Sequence, residues 1–226
     1  MLLSSPLLGP AVWRPVQQAL STWGSEVATV PASASKPLVS PADVLGEFLD
    51  GIPTDRPVVV VAHSNAGLYV PALVRDRVVD AMVFVDAGLP PPAGHTPLAP
   101  PPLLDLLRES ADRDGLLPVW THWWEQAEVE ALFPTAALRL EVEREQRRLP
   151  LSYFEGSLPV ADGWDARPGA YVAFGDTYAP ERDDAESRGW PVRTLQGGHL
   201  HMLHAPDDVA AGIQDLLGQL GSSPTT

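Results

Sequence analysis

The feature that most constrains the fold of this chain is the apolar run Val-Val-Val-Val-Ala at residues 58–62. β-Branched residues without polar alternation are typical of a strand that is buried on both faces, as in the middle of a parallel sheet. Parallel strands need crossover connections, which are usually helices. The run therefore predicts an α/β fold with this strand near the centre of the sheet.

Similar short apolar runs alternate with amphipathic segments along the rest of the chain. Counting the central run, strands are predicted at residues 2–4, 26–30, 58–62, 81–85, 170–174 and 192–195. Helices are predicted at residues 12–22, 41–49, 67–75, 180–188 and 206–220. This order predicts an α/β fold with a mostly parallel sheet of about six strands and helices on both faces.

Residues 90–168 interrupt the alternation. Two proline triplets, at 90–92 and 100–102, lead into two or three helical segments in which we predict no strand. Because the segment lies between two strands of one sheet, we interpret it as an insertion. The chain is thus predicted to be a single domain over residues 1–226, with a core at 1–89 and 169–220 and a helical cap at 90–168.

The central strand is followed by a turn of small residues that carries Ser64. A nucleophilic serine needs such a strand–turn–helix, because the sharp turn exposes its oxygen and small residues two positions before and after it relieve crowding. The usual glycines are both alanine here, Ala62 and Ala66, and Gly67 follows one position later. The alternative interpretation is a serine that caps an ordinary helix after an ordinary strand.

A glycine-backed histidine, His199, follows the last predicted strand. From that position its imidazole can reach a serine at the end of a neighbouring strand and act as the base. His201 and His204 are close in sequence, so a metal site is an alternative. Their spacing matches no standard ligand helix, and we therefore predict no metal and no other cofactor.

The acid that would orient His199 has two candidates. Asp86 ends the strand at 81–85, and Asp176 follows the strand at 170–174. Both positions lie at the carboxyl edge of a parallel sheet, where catalytic groups collect. Either carboxylate could hold the imidazole in the required tautomer.

These residues resemble the α/β-hydrolase superfamily, in its serine-nucleophile branch and in a compact form with a helical cap. Two motifs carry the resemblance: Ala-His-Ser-Asn-Ala-Gly at 62–67, and Gly-Gly-His-Leu-His-Met-Leu-His-Ala-Pro at 197–206. The resemblance implies a catalytic triad of serine, acid and histidine, and an oxyanion hole formed by the backbone N–H groups of Leu7 and Asn65.

The resemblance also bears on the acid. The family's usual acid position falls on Tyr178 in this sequence, and Asp176 lies two residues earlier. A minority of the family, including some haloalkane dehalogenases, places the acid after the strand that follows the nucleophile, which is the position of Asp86. We therefore favour Asp86 and keep Asp176 as the alternative.

The cap segment contains a cluster of aromatic residues, Trp120, Trp123 and Trp124, with His122 among them. Most of these tryptophans are expected to pack the cap onto the core. One or two of them can also form the roof of an apolar substrate pocket, with His122 as a polar contact there.

Composition narrows the function further. The chain has no cysteine, which leaves serine as the nucleophile, and its formal charge of −14 disfavours nucleic acid and anionic membranes as partners. It has neither a spanning segment nor a basic signal region, so we expect a cytoplasmic protein.

We predict a carboxylesterase-like serine hydrolase acting on a small, mostly apolar ester. Alternatives are a lyase, cyclase or acyltransferase on the same fold, or a non-catalytic ligand-binding protein. The sequence leaves the oligomeric state open.

Overall fold

A five-stranded, fully parallel sheet forms the centre of the protein in the computed structural model, which describes residues 1–31 and 39–221. The strands are β1 (Leu2–Leu3), β2 (Val58–Ser64), β3 (Val79–Ala87), β6 (Gly169–Phe174) and β7 (Val192–Leu195), in the spatial order β1-β2-β3-β6-β7. The predicted α/β architecture is therefore confirmed, with the Val-rich strand β2 inside the sheet.

The sheet has one strand fewer than the six predicted. The segment at 26–30 forms a single parallel bridge, between Thr29 and Leu2, instead of a strand. The bridge is closed by hydrogen bonds from the Leu2 N–H to the Ala28 carbonyl, at 2.8 Å, and from the Val30 N–H to the Leu2 carbonyl, at 3.0 Å. Because β1 is only two residues long, it offers no room for a longer ladder.

Helices surround the sheet, as predicted. The helices of the core are α1 (Arg14–Thr22), α2 (Pro41–Gly51), α3 (Val70–Asp76), α8 (Ala179–Ser187), α9 (His201–His204) and α10 (Pro206–Gly221). Helix α10 packs on α1 and on strands β3, β6 and β7, and helix α2 packs on α3. None of the helices within the described ranges is both long and apolar enough to cross a membrane.

The segment between β3 and β6 contains strands as well as helices, which corrects the prediction that it has none. Strands β4 (Gly94–Pro97) and β5 (Ser157–Val160) pair antiparallel as a separate two-stranded sheet. The prediction failed because each strand is four residues long and contains a proline, which is rare in strands. The helices between them are α4 (Pro101–Ser110), α5 (Gln126–Ala131), α6 (Ala136–Glu145) and α7 (Leu151–Phe154).

Candidate active site

Ser64 lies at the sharp turn that ends β2. Its backbone has φ 58° and ψ −131°, a conformation that side-chain-bearing residues rarely adopt and that is found mainly at functional sites. The turn is tight, because a Cβ on Gly67 would lie 2.2 Å from the carbonyl oxygen of Gly88. Ala62 and Ala66 are both fully buried at the flanking positions. In this chain the turn therefore has its essential glycine at position 67.

Asp86 lies one residue before the end of the neighbouring strand β3 and is fully buried. Its φ of 43° is the second positive value of a non-glycine residue in the described ranges. The Asp86 Oδ1 accepts a hydrogen bond from the Phe174 N–H at 3.0 Å. Tyr171 holds the next residue, since its hydroxyl accepts from the Ala87 N–H at 3.0 Å and donates to the Ala87 carbonyl at 2.7 Å. The carboxylate therefore has a fixed orientation.

His199 lies in the loop between β7 and α9, and its imidazole reaches Asp86. The His199 Nδ1 is 2.6 Å from the Asp86 Oδ2. That contact leaves Nε2 as the nitrogen available at the cavity that His199 and Ser64 both line. No hydrogen bond joins Ser64 to His199 within the described parts of the chain, and such contacts are often long before substrate binds.

The alternative acid, Asp176, lies away from this arrangement. Its side chain is 91% exposed and forms an ion pair with Arg182, with Oδ1 3.3 Å from the guanidinium Nη1. Asp176 lies two residues before position 178, where the resembled family carries its acid, and its carboxylate faces solvent. The structure thus brings Asp86, and not Asp176, to His199.

His63 packs on the other side of His199. Burial lowers the pKa of His63 well below its ordinary value, and the His199 imidazole lowers it further. The His63 ring lies edge-on to Trp13, with centroids 6.0 Å apart, and its Nδ1 has no hydrogen-bond partner among the described residues. His63 does not line the cavity, and its Nε2 faces the carbonyl oxygen of His199, so it is placed as a supporting residue and not as the base.

The two residues that the resemblance assigns to an oxyanion hole, Leu7 and Asn65, both line the cavity. Leu7 lines the cavity, and its N–H is 3.4 Å from the Ser5 Oγ. Asn65 begins a 3-10 helix, where the first N–H groups have no acceptor within the helix. The Asn65 side chain accepts a hydrogen bond from the Tyr153 hydroxyl at 2.8 Å and donates one to the Leu98 carbonyl at 3.1 Å. The residue after the serine therefore also joins the turn to the segment between β3 and β6.

A cavity of about 590 Å³ opens above Ser64 and is mainly apolar. Three predicted pocket residues line it: Trp120, Trp123 and Trp124. His122 does not, which corrects that prediction. It lies in a 3-10 turn whose other two residues, Trp120 and Thr121, face inward, so the imidazole of His122 is exposed.

Sequence reasoning missed several residues of the cavity. Leu98, Leu132 and Phe154 contribute apolar surface, and no sequence signal distinguishes them from ordinary core residues. Tyr178 also lines the cavity, next to Ser64 and His199. Its position three residues after Gly175, where the resembled family carries an acid, was the signal that could have found it.

The charges at the cavity are acidic. Glu128 and Glu181 line it, whereas none of its described lining residues is arginine or lysine. Burial raises the pKa of Glu181. No group of three or more histidine, aspartate or glutamate side chains within residues 1–31 and 39–221 is arranged to hold a metal ion.

Comparisons with known proteins agree with the fold. The sequence profile described as "Alpha/beta hydrolase family" matches residues 7–212. No curated protein sequence matches the chain.

Solved structures show the same fold at low identity. Polyneuridine aldehyde esterase is 18% identical with a TM-score of 0.68, and the match covers 96% of this chain and 98% of that one. A methylesterase from Arabidopsis is 13% identical with a TM-score of 0.67, over 96% and 98% of the two chains. A pyrethroid hydrolase is 16% identical with a TM-score of 0.69, over 96% of each chain.

Proposed function

This chain belongs to the alpha/beta hydrolase family, and we propose that it is a serine hydrolase that cleaves a small, mostly apolar carboxylic ester through an acyl-enzyme on Ser64. The observation that carries the proposal is the 2.6 Å contact between the His199 Nδ1 and the buried Asp86, beside a serine on a strained turn. A base that is oriented by a buried carboxylate and lies beside a hydroxyl is the arrangement that activates a serine.

In the proposed reaction Ser64 attacks the ester carbonyl, and the Nε2 of His199 takes the serine proton. Asp86 stabilises the imidazolium that forms, and the N–H groups of Leu7 and Asn65 bind the oxyanion. One such donor is typically worth about 10²–10³ in rate. His199 then protonates the leaving alkoxide. In the second half of the reaction, His199 takes a proton from water as water attacks the acyl-enzyme, and it returns that proton to the Ser64 Oγ as the carboxylic acid is released.

The walls of the cavity support the substrate class. Tryptophan and aliphatic side chains favour apolar acyl and alkoxy groups, and about 590 Å³ suits a small molecule. Without a lysine or arginine among the described lining residues, the cavity offers no counter-charge to a substrate carboxylate or phosphate. The esterases and hydrolases among the structural neighbours are consistent with ester chemistry in general.

The test is covalent labelling with a fluorophosphonate probe, followed by mass mapping of the adduct. We expect one adduct, on Ser64. We expect none in Ser64→Ala, greatly slowed labelling in His199→Ala and unchanged labelling in Ser110→Ala, a matched control on the exposed end of α4. A folded wild-type protein that is not labelled at Ser64 would refute the proposal.

A second assay separates hydrolysis from the other chemistries of this fold. p-Nitrophenyl acetate is supplied with and without a small alcohol as competing acceptor, and the products are quantified. We expect acetate as the main product in both cases. Predominant transfer to the alcohol at low concentration would favour an acyltransferase, and ligand binding without turnover would favour a binding protein.

A further inference from the structure

Tyr178 occupies the position at which the resembled family carries its acid, whereas in this structure Asp86 contacts His199 instead. Tyr178 lies immediately before α8, at the carboxyl edge of the sheet. With Asp86 bound to His199 from the end of β3, no carboxylate is needed at position 178. The residue at this position can therefore have another role at the same reaction centre.

Tyr178 lies beside the serine. The two residues line the same cavity, and their side chains are close enough for Ser64 to influence the pKa of the phenol. The phenol ring also lies beside the imidazole of His199, with ring centroids 5.6 Å apart and planes tilted by 35°. Tyr178 is thus next to both groups that exchange the proton in the proposed reaction.

Two contacts hold Tyr178 in this place. Its carbonyl accepts the Arg182 N–H at 3.0 Å in the first turn of α8. The loop before it contains Gly175 at φ 62°, where an added Cβ would lie 2.9 Å from the Gly197 carbonyl in the loop of His199. The loops that carry Tyr178 and His199 therefore pack closely against each other.

We propose that Tyr178 is a further catalytic residue, whose phenolic O–H donates a hydrogen bond to the Ser64 Oγ and stabilises the negative charge that develops on that oxygen. The charge develops twice: when His199 removes the serine proton, and when Oγ leaves the tetrahedral intermediate that water forms from the acyl-enzyme. Tyr178 keeps its proton in both steps, so no group is transferred to it. The inference rests on the proposed function of Ser64.

The protonation state of Tyr178 fits this role. Burial raises the pKa of Tyr178 to about 12, and the neighbouring Ser64 only partly opposes that shift. The phenol is therefore a neutral donor throughout the range in which an esterase is assayed. A preorganised donor aimed at a reacting oxygen acts without reorganisation during the reaction.

The test compares Tyr178→Phe, which keeps the ring on His199, with the wild type. With p-nitrophenyl acetate we expect kcat to fall about 10- to 100-fold with little change in KM. The rate constant of fluorophosphonate labelling at Ser64 should fall in parallel, because it also depends on attack by Oγ. Ser187→Ala, which deletes an exposed hydroxyl at the other end of α8, should change neither rate.

The outcomes separate this inference from the proposed function. Normal labelling of wild-type Ser64 with an unchanged kcat and labelling rate in Tyr178→Phe would overturn the role of Tyr178 alone. A raised KM with unchanged kcat would assign Tyr178 to substrate binding and would also overturn it. Absence of labelling in the wild type would overturn the proposed function itself.

A second variant covers the case in which Tyr178→Phe does not fold. Site-specific 3-fluorotyrosine at position 178 preserves the hydroxyl and makes it a stronger donor. We expect this substitution to change kcat by at least about twofold, whereas an unchanged kcat would overturn the inference.

Discussion

The imidazole of His63 stacks on that of His199, with ring centroids 4.6 Å apart, and the His63 Nε2 lies 3.1 Å from the His199 carbonyl oxygen. The ring nitrogen that faces a carbonyl must carry a proton, so Nε2 donates this hydrogen bond. The contact joins the end of β2 directly to the loop of His199. Protonation of His63 would place a second positive charge against His199 once that residue accepts the serine proton.

This relationship predicts a specific dependence of stability on pH. Burial lowers the pKa of folded His63 well below its ordinary value of 6.5. As the pH falls below 6.5, the unfolded chain binds a proton at this residue and the folded chain does not, so the free energy of unfolding decreases. We expect a loss of up to about 1.4 kcal/mol per pH unit from this residue.

The measurement is urea unfolding between pH 8 and pH 5.5 for the wild type and for His63→Gln, whose amide donates a hydrogen bond but does not titrate. The other titrating groups are common to both proteins, so the difference between the two pH profiles isolates His63. Parallel profiles would contradict a neutral, buried His63.

Asp86→Asn and Asp176→Asn form a matched pair for the identity of the acid. An amide at position 86 preserves the shape of the side chain but removes the charge that fixes the His199 tautomer, and such a change typically lowers kcat about 10⁴-fold. At position 176 the carboxylate is 91% exposed and binds only Arg182 in the described chain, so we expect a change of less than about twofold. Steady-state hydrolysis of p-nitrophenyl acetate measures both. Full activity in Asp86→Asn would exclude it as the acid.

The core of the fold could be predicted because its signals are local. Each of these signals lies within about ten residues of sequence: the Val-rich run indicates a strand, the small residues around Ser64 indicate a turn, and the Gly-Gly-His motif indicates a loop. The weaker elements depend on partners distant in sequence. Strands β4 and β5 are separated by about sixty residues, and neither has strand propensity of its own, since each contains a proline. Their pairing could not be read from either segment.

The members of the site differ in the same way. Asp86 and Asp176 both follow a strand predicted from the sequence. Sequence alone left both open, because the direction of a side chain depends on the local path of the backbone. The φ of 43° at Asp86 turns its carboxylate toward His199, whereas the loop after β6 turns Asp176 to solvent. His122 was misplaced for a related reason: neighbours in a tight turn face opposite ways.

Gly67 should be the glycine that the serine turn cannot lose. A methyl group there would lie 2.2 Å from the Gly88 carbonyl, which is backbone and cannot rotate away. The Gly88 N–H also donates to the Ser64 carbonyl at 3.1 Å, so displacement of Gly88 would disturb the serine. We expect Gly67→Ala to cost about 1–3 kcal/mol of stability and to reduce ester hydrolysis at least about tenfold.

Gly46→Ala is the matched control for this prediction. Gly46 lies inside α2, and an added Cβ there meets no atom within 4 Å. Alanine is the better helix former, so this variant should gain about 0.5–1 kcal/mol and keep its activity. Thermal unfolding and p-nitrophenyl acetate hydrolysis report on both variants. An active, stable Gly67→Ala would show that the turn has more room than its geometry indicates.

Trp124 offers a test of the substrate class that leaves the reacting groups intact. Its ring lines the cavity but is 37% exposed, and its aromatic contacts are with Trp120 and Trp123. Trp124→Ala should therefore remove apolar surface from the substrate pocket with little loss of stability. Trp120 is less suitable, because its ring also packs beside His199 at 5.9 Å.

The expected effect of Trp124→Ala grows with the length of the acyl chain. Loss of about 50 Å² of apolar contact is worth about 1–1.5 kcal/mol, or roughly tenfold in kcat/KM. We expect that loss for p-nitrophenyl octanoate and almost none for p-nitrophenyl acetate, whose short acyl group does not reach the ring. His122→Ala, two residues away and outside the cavity, should behave as the wild type with both esters. Equal losses of kcat/KM for the two esters would mean that Trp124 supports the reaction centre. A loss in His122→Ala would mean that a disturbance of the turn carrying both residues, and not the loss of cavity surface, lowers the activity.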